Sequence, residues 1–210
     1  MLIEKTIAHQ RILSVLDEGS FVETGAFITG RSGDAAADGR GDGVVTGYGT
    51  IDGVLVFIYA QDPAYEGGSV GEMHARKISA LYNNALKMGA PVIAMIDTAG
   101  IRLQEDNDSL FSFGKILSHQ ADLSGVVLQI AMIMGSCGGG MAVSARMCDF
   151  VLMDKDHGKL FYNSPNAITG SFEEKLDTSS AAYHTEKTGN CDFSGTAEEI
   201  AAAARRLIAI

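Results

Sequence analysis

The sequence predicts an α/β layered fold, and three features carry that expectation. Two apolar runs, residues 43–51 and 54–60, flank Asp52-Gly53, a pair suited to a two-residue hairpin turn. Two later runs, residues 91–96 and 126–134, are continuously apolar, as strands covered on both faces are. Helical periodicity occupies residues 69–88, and a second helix capped by Asp108 or Ser109 runs to Leu123. Hairpin, helix, strand, helix, strand, helix, strand is an order that short right-handed crossovers can lay on one sheet.

Along the chain, Ile3, Ile7, Ile12, Leu13 and Leu16 mark an amphipathic N-terminal helix within residues 1–20, ended by Asp17-Glu18-Gly19. Residues 20–23 read as a short extended piece. Residues 25–42, rich in glycine and aspartate, are expected to be a flexible surface loop. A further loop over residues 61–68 holds Pro63 and Gly67-Gly68. In the helix that follows, Met73, Ile78, Leu81, Ala85 and Met88 form an apolar stripe that leaves Lys77 off it, and Gly89 closes the helix. Residues 150–153 and 159–162 read as short strands, 164–180 as irregular, and 181–187 and 197–208 as helices.

Composition excludes several function classes. The chain has 210 residues, 46% of them hydrophobic, enough for a substantial core. Sixteen basic against 26 acidic residues give a net charge of −10, which argues against nucleic acid but allows an anionic small ligand held by backbone amides. Cys137, Cys148 and Cys191 form no CxxC pair, so neither a disulfide framework nor a metal site is expected. No apolar run is long enough to cross a bilayer, and the first residues lack a signal-peptide core. A reducing cytoplasm is the expected location.

The chemistry is expected where strands end in glycine. The apolar run 126–134 breaks at Gly135-Ser136-Cys137-Gly138-Gly139-Gly140 and resumes as the small-residue run 141–145. Glycine permits sharp turns and close backbone approach, and the first amides of a helix starting there lack intrahelical partners. Such a turn can hold negative charge on oxygen. Taken alone, the segment reads first as a tight connection without a ligand. Asp97 to Glu105 forms a second loop of the same kind, and in α/β sheets ligands gather at the carboxyl ends of strands.

Competing motifs are weaker. Gly67-Gly68-Ser69-Val70-Gly71 fits G-x-S-x-G, with His74 and Asp97 nearby in sequence. That motif needs its serine directly on a strand-to-helix elbow and a later histidine, such as His119, His157 or His184. Ser69 reads instead as a helix cap, with Glu72 completing a capping box. No nucleotide-binding glycine loop occurs in the right context. Glu105 and Asp106 suit either acid–base chemistry or a solvated loop.

Several ordered segments resemble one family. They are residues 41–49 (GDGVVTGYG), Ala60-Gln61-Asp62, Gly67-Gly68-Ser69, Gly71-Glu72-Met73-His74, Lys77, residues 97–105 (DTAGIRLQE), residues 124–130, Cys137-Gly138-Gly139-Gly140 and Asp149-Phe150. Together they look like the N-terminal half of the carboxyltransferase of biotin-dependent acyl-CoA carboxylases and decarboxylases. Propionyl-, methylmalonyl- and glutaconyl-CoA types are similar, as is the malonate decarboxylase β subunit.

The resemblance implies a crotonase-like (ClpP/crotonase) ββα spiral in a single domain over residues 1–210. It also implies a site where carboxybiotin on a separate carrier protein exchanges CO₂ with an acyl-CoA thioester. It places amide donors at Gly139 and Gly140, and a pocket wall at Ala99, Gly100 and Ile101. Gly67, Gly68, Lys77, Arg102 and Gly138 fall in the CoA-binding shell. Biotin itself takes the proton in such chemistry, so Glu105 need only brace its loop, and Arg102 either meets a CoA phosphate or pairs with Glu105. A second crotonase-like subunit, an oligomer and no metal are implied. Glu66 departs from the usual apolar residue and Gly138 from a common alanine. A stand-alone acyl-CoA hydratase or hydrolase using Glu105, and a non-catalytic assembly subunit, are the alternatives.

Overall fold

The computed structural model describes residues 6–31, 41–163 and 177–209. Its core is a mixed sheet. The hairpin β2 (Val44–Ile51) and β3 (Val54–Gln61) pairs Ile51 with Val54 across Asp52 and Gly53, both at positive φ (49° and 82°), the geometry of a tight primed turn. Short β1 (Val22–Thr24) adds to β2 antiparallel. On the other side, β4 (Val92–Thr98), β5 (Gln129–Gly138), β6 (Phe150–Asp154) and β8 (Phe193–Gly195) follow in parallel, giving the order β1-β2-β3-β4-β5-β6-β8. β5 is the spine. Its first half pairs β6 over Ile130–Ile133, and its end pairs β7 (Lys159–Phe161) over Ser136–Gly138.

Both faces of the sheet are covered, which is why β4 and β5 read as unbroken apolar runs. Alternate residues serve opposite layers. Val92, Ala94, Ile96, Ala131 and Ile133 join α2 (Glu72–Met88), α3 (Asp106–Leu123) and α4 (Gly140–Met147) in one core with Tyr82, Ile78, Phe113 and Met141. Ile93, Met95, Ile130 and Met132 meet α1 (Ile7–Leu13) and α6 (Ala197–Ile208) through Ile12, Val15 and Ile200. Arg205 of α6 clasps the far side, donating to the Val15 carbonyl at 2.8 Å and to Asp17 at 2.9 Å.

Several expectations change. α1 ends at Leu13, so residues 1–20 are not one helix; residues 1–5 lie outside the described set. Of the loop expected over 25–42, residues 32–40 lie outside it too, and its last residue, Asp42, is buried rather than on the surface. α2 begins at Glu72 after Gly71, so Ser69 does not cap it; the helix's buried face carries His74, Lys77, Ile78, Leu81, Tyr82 and Ala85, whereas Met88 is exposed. α3 begins two residues before Asp108. β5 starts at Gln129, because the Val126 and Val127 amides close the end of α3 by bonding the Leu123 carbonyl. The helix expected over 181–187 is one turn, α5 (Ala181–Tyr183), widening over His184–Thr188. The strand β8 carried no alternation long enough to be read. No helix among the described residues is long and apolar enough to cross a membrane.

Candidate functional site

The site grows from a mismatch between β4 and β5. Ile96 pairs with Ile133, and Thr98 with Cys137, so two steps along β4 face four along β5. The surplus makes β5 bulge at Met134-Gly135-Ser136. Asp97 fills the bulge: a β-carbon on Gly135 would lie 2.1 Å from Asp97 Oδ1, and the Ser136 amide donates to that oxygen at 3.2 Å. Asp97 Oδ2 accepts from Arg11 Nη2 at 2.8 Å. The bulge lets β5 continue to Gly138, three residues past the expected break. The chain turns only at Gly139 (φ 57°, ψ −125°), and α4 starts at Gly140. Because Thr98 and Cys137 are register partners on neighbouring strands, the two glycine turns leave the sheet side by side.

Close approach explains the other glycines. A β-carbon on Gly68 would lie 2.3 Å from the Asp97 carbonyl oxygen, and one on Gly140 would strike the Phe113 ring at 2.5 Å. The segment 67–70 is stitched to 99–102. The Ala99 amide donates to the Gly67 carbonyl (2.8 Å), the Val70 amide to the Gly100 carbonyl (2.8 Å) and the Arg102 amide to the Val70 carbonyl (3.0 Å).

This stitching corrects which amides are available. Gly139 donates to the Phe161 carbonyl at 3.0 Å, because the β5–β7 pairing carries on past the break expected at Gly135 as far as this turn. Ala99 is engaged as above, and Gly100 donates to Thr98 Oγ1 at 3.0 Å. The expected donor Gly139 and the wall residues Ala99 and Gly100 therefore have acceptors for their amides. Those of Gly140 and Met141, at the start of α4, and of Ile101 have none among the described residues. In front of Gly100 and Gly139 the space is open: a β-carbon at either would meet nothing within 4 Å.

Arg102 and Lys77 face inward. Arg102 donates to Ser69 Oγ (3.1 Å) and the Ser69 carbonyl (2.7 Å), pairs with Asp42 and with Glu105 (3.0 Å), and lies 5.5 Å from the Tyr65 ring centroid. Lys77 Nζ donates to the Val44 carbonyl, and burial lowers its pKa to about 8 against the opposing pull of Glu23 and Asp42. Neither presents a free cation to a phosphate. Glu105 is fully used as well: one oxygen meets Arg102, the other accepts the Glu72 amide at 2.6 Å, a carboxylate at the N-terminus of α2.

Behind the turns lies a buried polar chain. The Asp97 amide donates to Gln61 Oε1 (3.1 Å), and Gln61 Nε2 meets His74 Nε2 (3.2 Å). His74 Nδ1 lies 2.8 Å from the Asp42 carbonyl, an acceptor only, so the proton is on Nδ1 and Nε2 accepts. Asp42 then holds the His74 amide (2.8 Å) and Arg102. Burial lowers the His74 pKa to about 3, so the imidazole is neutral and no proton shuttle at neutral pH. Cys137 is also no nucleophile, its thiol pushed far up by burial.

Sequence reasoning assigned no role to Arg11, Asp42 or Gln61, whose partners lie far along the chain. A cleft of about 590 Å³ beside Arg102 is lined by Arg31, Glu66, Gln104, Glu105, Asp106, Asn107 and Asp108. Its carboxylates outnumber its guanidiniums, which disfavours phosphate there. No group of three or more His, Cys, Asp or Glu suited to a metal ion occurs among the described residues.

Known proteins share this sequence pattern and fold. A family model described as the carboxyl transferase domain matches residues 4–209. Methylmalonyl-CoA decarboxylase subunit alpha of Veillonella parvula is 40% identical over 201 residues, covering 93% of this chain and 40% of that protein. A putative propionyl-CoA carboxylase beta chain of Bacillus subtilis (strain 168) is 40% identical over 208 residues, covering 97% and 41%. The chain thus spans about 40% of the length of these curated relatives. Among solved structures, the transcarboxylase 12S hexamer core, with methylmalonyl-coenzyme A and methylmalonic acid bound, superposes with a TM-score of 0.87 at 35% identity, over 96% of this chain and 41% of that one. A Pseudomonas malonate decarboxylase hetero-tetramer in complex with malonate gives 0.85 at 26% identity, over 96% and 81%. The fold is the crotonase-like one. With nearly its whole length matched and its two glycine turns brought together at neighbouring strand ends, the chain belongs to the carboxyl transferase domain family.

Proposed function

We propose that this chain is the acyl-CoA-binding half of a biotin-dependent carboxyltransferase, with residues 1–210 forming one domain of it. The observation that carries the reading is the pair of adjacent turns, with uncommitted amides at Gly140 and Ile101 beside open space at Gly100 and Gly139. Gly67, Gly68 and Gly138 are the close-packed walls that let those turns approach a ligand.

The chemistry follows from charge. Gaining or losing a carboxyl group α to a thioester passes through the same carbanion in either direction, with negative charge on the thioester oxygen. A fixed amide aimed at that oxygen stabilises the transition state by roughly 3–4 kcal/mol, because no solvent must reorganise. Gly140 is the donor the geometry favours, assisted by the dipole of α4. A base is not evident at the turns: both oxygens of Asp97 and of Glu105 are engaged, and His74 is sealed away. That favours carboxyl transfer over an enoyl-CoA hydratase working through Glu105. Biotin on a carrier protein supplies the carboxyl group or receives it.

Because the chain spans part of its relatives' length, the reading includes a second crotonase-like unit to complete the site and an oligomeric assembly. The hexamer and hetero-tetramer of the solved neighbours support this. A cytoplasmic location fits the free Cys137, Cys148 and Cys191. Calorimetric titration of the chain with propionyl-CoA, methylmalonyl-CoA and malonyl-CoA tests the reading. Saturable heat with at least one is expected; no binding to any, or enoyl-CoA hydration without biotin, would overturn it.

A further inference from the structure

The N-terminal helix reaches the α4 turn through one side chain. Arg11, in the last turn of α1, belongs to the layer on the opposite face of the sheet from α2, α3 and α4, yet its Nη2 donates to Asp97 Oδ2 at 2.8 Å. Both side chains are only 14% exposed. The second Asp97 oxygen takes the Ser136 amide, three residues before Gly139. We propose that Arg11 is a positioning residue: by clamping Asp97 in the β5 bulge it sets where Gly138, Gly139 and Gly140 lie. Its consequence for turnover rests on the function proposed above.

Two observations favour positioning over simple stabilisation. First, Arg11 Nη1 is buried with no acceptor among the described residues. A shielded ion pair with an unsatisfied nitrogen is a poor source of stability, and an apolar side chain on α1 would serve the fold at least as well. Second, Asp97 occupies space that any β-carbon at position 135 would fill, so its placement and the course of the bulge are one geometric fact. Without a cation, a carboxylate confined there would turn toward water, leaving the Ser136 amide and the bulge unsupported.

The test compares Arg11→Ala with Ile12→Val, a wholly buried neighbour on the same helix with no polar group to offer Asp97. Hydrogen exchange by mass spectrometry is read on the peptide covering residues 135–140. Exchange about tenfold faster in Arg11→Ala, and unchanged in Ile12→Val after correction for global stability, is expected. Equal exchange in both variants overturns the proposal, whatever the enzyme does. Should the alanine variant not fold, Arg11→Lys, with one point charge in place of the fork, is expected to give an intermediate exchange rate; a wild-type rate would again overturn it. In the assembly with its partner unit and biotin carrier, kcat should fall about tenfold to a hundredfold with KM for acyl-CoA nearly constant, and millimolar guanidinium should restore part of it in Arg11→Ala. If wild-type assembly turns over no acyl-CoA while the exchange contrast is seen, the functional reading fails and the positioning role stands.

Discussion

The carboxylate of Asp97 occupies the space where Gly135 would carry a β-carbon, 2.1 Å from Oδ1. One position on β4 thereby fixes the path of β5, which is how a strand end is held accurately enough for chemistry. Gly135→Ala should expel the carboxylate. A loss of about 1–3 kcal/mol in urea unfolding is expected, as for other overpacked sites. Combining it with Asp97→Ala should cost clearly less than the sum of the two, since the clash is then absent. Additive losses would show that the two residues do not compete for this space.

Glu105 braces its loop by holding Arg102 and the first amide of α2. Glu105→Gln should reduce the melting temperature while lowering turnover of the complete assembly by less than about tenfold, whereas loss of a general base costs roughly 10²–10⁴. Turnover against pH in the variant is the more telling measurement. A profile that keeps its shape supports bracing, and the disappearance of an ascending limb would return Glu105 to an acid–base role.

His74 makes stability depend on acid. Its pKa is about 3 in the folded chain against 6.5 when exposed, so between those values the unfolded chain binds the extra proton. Its contribution is therefore fully present above pH 6.5 and is lost as pH falls toward 3. Between pH 7.5 and 5 this amounts to roughly 2 kcal/mol. His74→Gln should be less stable at pH 7.5 yet show a shallower fall in urea midpoint down to pH 5. Parallel slopes in the two proteins would mean that His74 is not the group that titrates.

Gly139 has φ 57° and ψ −125°, where a β-branched residue is strained by roughly 1–3 kcal/mol. Because its own amide is bonded to Phe161, Gly139→Val acts by shifting the Gly140 amide. Thioester turnover in the full assembly should drop about 10²–10³-fold, the worth of one well-aimed donor, while circular dichroism stays close to wild type. Unimpaired turnover would remove Gly140 from the oxyanion site.

Much of this molecule was readable before any coordinates. The hairpin declared itself in Asp52-Gly53, and the two double-covered strands in their unbroken apolar runs. Glycine clusters at the ends of both strands were readable too, and the register of Thr98 with Cys137 sets them side by side. Which amides are free was not, because that depends on β7 returning to pair with the end of β5 and on residues 67–70 returning to residues 99–102. Lys77 and Arg102 looked like ligands for the same reason: a cation's partner can lie anywhere along the chain. Lys77 finds a carbonyl on β2, and Arg102 an aspartate sixty residues earlier.

The Arg205 clasp has a consequence for biosynthesis. It joins groups 190 residues apart, so the cover that α6 lays over β5, β6 and β8 cannot close until nearly all of this stretch has left the ribosome. Until then Ile130, Met132 and Leu152 lack part of their lid, and a nascent chain halted before Arg205 would present a greasy sheet face to chaperones.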